Sequence, residues 1–292
     1  MAGASAVKRG LALVGAAAIV AIGAFGVTAW IAGGDEAAPA VTSTTRSALA
    51  RLRIIFPEGF TIREMADRVA AVREIAITKR RVTPRLTRDG YLRAVERVLA
   101  PPRFRKDVKR DSSEGFLFPA SYEFTQETTA RELVADQLGA FRQRFRGVDL
   151  SYARSKNLTP YDVLIIASMI EKETAVPRER RLVAAVIYNR LRDRMPLGID
   201  ATIRYGLDIP GTESLTKEAL RSPSPYNTRT RTGLPPTPIA NPGLASIRAA
   251  ANPARGVDYL YYVRKPKSLA HYFTASESDF LRKVCEYGYA CD

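Results

Sequence analysis

The sequence predicts an α+β ectodomain carried on a single N-terminal transmembrane helix. Three observations lead there. Residues 10–34 contain no charged side chain, and a helix rising about 1.5 Å per residue over that length crosses the roughly 30 Å of bilayer hydrocarbon. The whole chain of 292 residues is 46% apolar and 26% charged, the balance of a chain that buries a core. Beyond residue 50, stretches with helical apolar period alternate with short extended runs rich in β-branched and aromatic residues.

Lys8 and Arg9 precede the apolar run, and Asp35 and Glu36 follow it. By the positive-inside bias, residues 1–9 form a cytosolic tail and everything after residue 34 lies outside the membrane. A cleaved signal peptide is the competing reading, because the run is rich in Ala and Gly; the run is longer than the usual signal core of about 7–15 residues. Either reading exports the remainder.

Residues 35–50, mostly small and polar, form a tether. A strand is expected over 51–56 around Ile54 and Ile55, followed by the turn Pro57-Glu58-Gly59. Thr61 then caps a helix with the stripe Ile62, Met65, Ala66 and Val69, and Glu64 completes a capping box. A second amphipathic helix is expected over 87–99, ending before Pro101-Pro102. The basic linker 103–110 leads into an aromatic, extended stretch over 114–124 and then a helix over 128–145. At Thr159-Pro160-Tyr161-Asp162 an N-cap, a proline at the first helical position and an acid open a helix that is apolar nearly all round, from Val163 to Ile170. Such a helix has no face to give to water and belongs inside the fold.

Pro177 restarts a helix to about Arg192. Seven of the 18 prolines fall between 223 and 253, so 221–240 is read as an irregular loop. Asn241-Pro242 is expected to cap a short helix to Ala251, and 259–263 with 271–274 to pair as a hairpin. There is no internal repeat.

Composition narrows the chemistry. One His and two Cys cannot close a zinc site, so no metal or cofactor is expected. Cys285 and Cys291, six apart, could close a disulfide in an oxidising compartment, which their spacing alone does not establish. The chain carries a formal charge of +15. Outside the membrane the polyanions available to that charge are lipid headgroups and cell-wall polymers rather than nucleic acid, and a solvated basic surface is the plain alternative. Nucleophile-elbow, P-loop and dinucleotide motifs are absent.

Carboxylates remain. Glu171-Lys172-Glu173-Thr174 ends the most apolar helix of the chain, and a carboxyl held against such a surface is desolvated, which favours its protonated form and suits a general acid. Periodicity does not choose between the glutamates. Glu173 shares a sector with Ile166, Met169 and Ile170, Glu171 one with Leu164, Ala167 and Ser168, and the two lie roughly 200° apart. A solvated helix end, or an ion pair to Arg180 or Arg181, is the alternative use for either.

The string Ala167-Ser-Met-Ile-Glu-Lys-Glu-Thr174, then Asn189-Arg190-Leu191, Asp200-Ala-Thr202 and Tyr205-Gly206, resembles the endolytic murein transglycosylase family, also called YceG-like. Ser224-Pro-Tyr-Asn-Thr228, Gly233-Leu-Pro-Pro-Thr-Pro-Ile239, Asn241-Pro-Gly243 and Tyr259-Leu-Tyr-Tyr-Val263 continue in the family's order. Upstream, Pro57-Glu58-Gly59 and Glu114-Gly-Phe-Leu-Phe-Pro119 also match. The resemblance implies a membrane-anchored lytic transglycosylase acting on peptidoglycan glycan strands. It would cut between N-acetylmuramic acid and N-acetylglucosamine, leave 1,6-anhydro ends and terminate glycan elongation beside cell-wall synthases.

In the family the second glutamate of the motif is catalytic, which falls on Glu173. Thr174, Asn189, Asp200, Thr202, Tyr226, Asn227 and Asn241 are the implied substrate-binding residues, each with local bracing as its alternative; His271 matches a family histidine. The implied organisation is a small LysM-like lobe over 51–125, a connecting helix region over 126–158 and a catalytic domain over 159–292. A family histidine near the C-terminus is replaced by Phe280. A non-catalytic, LysM-like peptidoglycan-binding scaffold is the competing function.

Overall fold

The computed structural model describes residues 50–108 and 112–289. The expected cytosolic tail, the transmembrane segment and nearly all of the tether lie outside them, as does Cys291; Cys285 is disulfide-bonded. Among the described residues the fold is α+β, with ten α-helices and two two-stranded antiparallel sheets, and no helix is long and apolar enough to cross a membrane.

The first half is built as β1 (Leu52–Ile55), α1 (Ile62–Arg80), α2 (Arg88–Val95), β2 (Ser121–Phe124) and α3 (Ala130–Arg146). Alternation along β1 buries Ile54 and exposes Ile55, as a strand with one covered face requires. Its partner is β2, paired from Leu52 with Phe124 to Ile55 with Ser121. The Thr61/Glu64 capping box forms as expected. The second helix stops at Val95 rather than 99, and the Ser113 hydroxyl donates to the freed carbonyls of Val95 and Val98 at 3.1 and 3.3 Å. This half has its own core, in which Ile54, Phe56, Met65, Tyr91, Leu117 and Phe124 are joined by Leu133 and Val134 of α3.

The second core begins on the same helix. Phe141 and Phe145 of α3 cluster with Phe104 and Phe116, and the cluster continues into α5 (Pro160–Glu173), which follows the short α4 (Ser151–Ser155). Thr159 and Asp162 close a reciprocal capping box at the start of α5. Every residue from Val163 to Ile170 is buried, because α6 (Arg180–Arg192), α7 (Asp200–Leu207) and α9 (Leu244–Ala251) pack around it. At about 1.5–3 kcal/mol for each large aliphatic side chain removed from water, this helix is the main apolar investment of the fold.

A 3-10 turn at Pro177–Glu179 leads into α6, and α8 (Lys217–Leu220) precedes the proline-rich loop, which is irregular as expected. The expected hairpin is β3 (Tyr261–Arg264) with β4 (His271–Thr274), followed by α10 (Glu277–Glu286). One cap differs from expectation. The N-cap of α9 is Gly243, and Asn241 turns away from the helix because buried backbone of the first half competes for its amide, as described below.

Candidate active site

At the C-terminal end of α5 the helical turn sends Glu171 and Glu173 to opposite sides. Glu171 is surrounded by partners. Its side chain is 6% exposed, its Oε1 lies 3.7 Å from Arg180 Nη2, and its Oε2 accepts the Gly243 amide at 2.9 Å, at the positive end of α9. Glu58 joins this cluster; burial, then the neighbouring Glu171 charge, pushes its carboxyl upward, with Arg180 opposing. A Cβ at Gly243 would overlap the Glu58 carboxylate, so any side chain there would have to move the Glu58 carboxyl from its present place.

Glu173 is held differently. Its Oε2 accepts one hydrogen bond, from the Tyr262 hydroxyl at 2.8 Å. Burial pushes its carboxyl above the usual carboxylate range; the Tyr262 hydrogen bond opposes this, the Asp200 charge adds to it, and His271 and Arg229 oppose it more weakly. Among the described residues no group bonds its Oε1, and the residue is only partly exposed, so that oxygen is left without a protein partner. Tyr262, raised well above the ordinary phenol range by burial and then by Glu173, remains a hydroxyl donor. One carboxylate oxygen is thus anchored and the other is open, an arrangement suited to passing a proton.

Asp200, at the first position of α7, pairs with Arg229 of the proline-rich loop at 2.7 Å, with both side chains about half exposed. Behind it Thr202 and Thr228 share a hydrogen bond at 3.0 Å, and both reach Ile199 backbone. Asn227 is fully buried. Its amide donates to Leu220 and Ser222 carbonyls and its carbonyl accepts the Arg229 amide, which fixes the loop that carries Arg229.

Asn189 donates to the carbonyls of Val257 and Tyr259 and so sets the approach to β3. Arg190 next to it bonds the carbonyls of Leu260 and Leu197 and covers the Tyr261 ring. Thr174 is buried at the end of α5 and accepts the Val176 amide.

Two of the sequence-predicted residues sit elsewhere. Asn241 is fully buried, accepts the amides of Gly115 and Leu117 at 2.9 and 3.0 Å, and donates to Phe60 carbonyl and Glu114 at 3.0 and 2.6 Å. Tyr226 bonds Thr237 and packs edge-on against Tyr205, whose hydroxyl donates to Glu114. Glu114 is therefore the centre of a second buried polar group, and burial pushes its carboxyl up to about 8. It lines a cavity of about 1270 Å³ with Lys172, Ala201 and Tyr205, flanked by α1 and α2.

Tyr262 and Arg229 beside Glu173, and Glu179 beside Thr174 and His271, escaped sequence reasoning. Tyr262 lies in a quoted aromatic motif, but only the hairpin register tells it from Tyr259 and Tyr261. Arg229 and Glu179 carried no signal, being one arginine among many and one acid in a charged segment. Among the described residues no cluster suited to a metal ion is present.

The YceG-like family matches residues 30–286. An endolytic murein transglycosylase of Bacillus subtilis is 31% identical over 217 residues, covering 73% of this chain and 59% of that protein. One of Streptococcus pneumoniae is 31% identical over 246 residues, covering 80% and 44%. The chain thus spans about half the length of the curated relatives it matches. A crystal structure of a YceG-like protein from Listeria monocytogenes superposes with a TM-score of 0.63 at 27% identity, covering 79% of this chain and 75% of that one.

Proposed function

The chain belongs to the YceG-like family, and from that premise we propose that it is a peptidoglycan lytic transglycosylase with Glu173 as its single acid and base. The observation that carries the reading is the Glu173 carboxyl itself, desolvated, held at one oxygen by Tyr262 and open at the other. Protonated, it gives its proton to the glycosidic oxygen leaving C1 of N-acetylmuramic acid. The carboxylate left behind is steadied by the Tyr262 hydroxyl, and it takes the proton of the muramic 6-hydroxyl as that oxygen bonds to C1. The bond to the departing sugar is replaced by the 1,6-anhydro bond, and the proton count returns to its start. An internal hydroxyl removes the need for the second carboxylate that positions water in ordinary glycosidases.

Asp200, charged and open beside Arg229, favours positive charge developing at C1. Thr202 and Asn227 act by fixing the Asp200–Arg229 pair, Asn189 by fixing the hairpin, and Thr174 by fixing the end of α5. Tyr226 and Asn241 support the Glu114 group, which shapes the large cavity. Residues 10–34 anchor the chain in the membrane, the half around β1 and β2 binds glycan as a LysM-like lobe, and cutting of strands beside cell-wall synthases ends their elongation. The sequence run without charge and the family membership support this placement.

The test is digestion of purified glycan strands by the full chain, with product masses measured. Anhydro-ended fragments are expected, and none from Glu173→Gln. Products with reducing ends would mean that water attacks and would replace this mechanism.

A further inference from the structure

Behind Tyr262 stands another buried acid that the mechanism above does not use. Glu179, in the 3-10 turn before α6, is 4% exposed. Its Oε1 accepts the His271 backbone amide at 3.0 Å and its Oε2 lies 2.7 Å from His271 Nδ1, so one carboxylate grips both the main chain and the ring of the same residue. The two side chains are 6% and 9% exposed. The His271 ring meets the Tyr262 ring edge to face, with centroids 5.5 Å apart and planes at 88°. Tyr262 in turn reaches Glu173, and Thr174, next to Glu173, lies 3.4 Å from Glu179 through its hydroxyl. The chain of contacts closes a ring from the end of α5 through β3 and β4 back to α5.

A phenol free to swing cannot serve as a fixed donor. Tyr262 has two single bonds to set, and the buried imidazole is the wall that sets them, while Glu179 holds that imidazole in one orientation and one tautomer. We infer that Glu179 and His271 are positioning residues for the reaction, holding the Tyr262 hydroxyl on Glu173. The inference rests on Glu173 being the acid and base, but its physical content is separate.

The groups that face Glu173 are Tyr262 on β3, His271 on β4, Asp200 on α7 and Arg229 of the loop. On its outer side the Glu179–His271 pair lines a cavity of about 730 Å³ together with Arg178, Arg181, Arg255 and Lys265. His271→Gln removes the ring that braces Tyr262 and, with it, the opposition His271 offers to the upward push on the Glu173 carboxyl, so the protonated form of Glu173 is favoured. Tyr262→Phe removes a donor to the carboxylate and acts in the same direction.

The experiment is a pH titration of the full chain labelled with ¹³C at the glutamate carboxyls, Glu173 being identified by difference from Glu173→Gln. The Glu173 midpoint is expected to move upward in both His271→Gln and Tyr262→Phe. Kinetics on glycan strands should show kcat lowered about tenfold to a hundredfold, the worth of one hydrogen bond to a charged group, with KM within about twofold. The high-pH limb of the kcat profile should move upward with the midpoint. Glu179→Asn, which shortens the grip, should be impaired more than Glu179→Gln.

A Glu173 midpoint identical in all folded variants overturns the inference even if the chain cuts glycan. A midpoint that moves in a chain that cuts nothing overturns the proposed reaction and leaves the coupling standing. Loss of the native circular dichroism in every variant makes the pair a brace of the fold and also overturns it.

Discussion

The two sides of the α5 terminus invite comparison, because they differ by two residues in sequence and by everything in surroundings. On one side Glu171 meets a guanidinium and a helix-end amide, so its charge is answered and the carboxylate ties α5 to α6 and α9. On the other, Glu173 meets one phenol and otherwise apolar or weakly placed neighbours, so the protonated form gains. A carboxylate with enough partners is structure, whereas one left short of partners and in contact with solvent is chemistry in waiting.

The sharpest way to break this contrast is Glu173→Gln. Turnover on glycan should fall by about 10²- to 10⁴-fold, the usual worth of a general acid and base, with an unchanged melting temperature. Comparable loss from Glu171→Gln would reverse the assignment. Conversely, Glu171→Ala takes from Arg180, 14% exposed, one of two acidic neighbours and from the Gly243 amide its acceptor; stability measured by urea unfolding should drop by about 1–3 kcal/mol, while folded molecules keep most of their activity.

Glu114 sharpens the comparison as a further buried carboxyl, raised to about 8 against the ordinary 4.3 or so of an unfolded chain. The folded state holds this proton more tightly than the unfolded state. Its stabilising contribution is therefore complete below the unfolded value and is lost as pH rises toward about 8. Between those limits the single group should lower stability by up to about 1.4 kcal/mol per pH unit. Glu114→Gln retains an acceptor for Asn241 and Ile62 and offers Tyr205 an amide N–H that its hydroxyl can accept by turning round, so its urea midpoint should lose this slope and exceed the wild type near pH 8. Thr159→Ala, at the far end of α5, should cost about 1 kcal/mol and move the two glutamates alike; an effect on turnover beyond that stability loss would show the terminus to be less independent than drawn here.

Much of the fold is local and could be read from the chain. The capping boxes at Thr61 and Thr159, the burial of the helix after Pro160, the irregular proline loop and the β3–β4 hairpin all follow from neighbours within a few residues. The elements that were missed are α4, α7, α8 and α10, short helices of 4–10 residues that offer too few turns for an apolar period to stand out, even where Thr216 and Ser276 cap α8 and α10. The pairing of β1 with β2, across 65 residues and more, has no local signature. The same division runs through the site. That the end of α5 carries an unusual acid was legible in the apolar run before it. The use of Asn241 was not, since its amide answers backbone groups of Gly115 and Leu117 more than 120 residues away.

What the amino-acid order settled on its own is that a carboxyl would be carried to the end of a buried helix, because hydrophobic period and a cap at Thr159 act over one or two turns. Which carboxyl, and with what beside it, was decided only when α6, α9 and the hairpin closed around that end. Coulombic and hydrogen-bond partners act through space, and Arg180, Gly243, Tyr262 and Asp200 reach their places by folding.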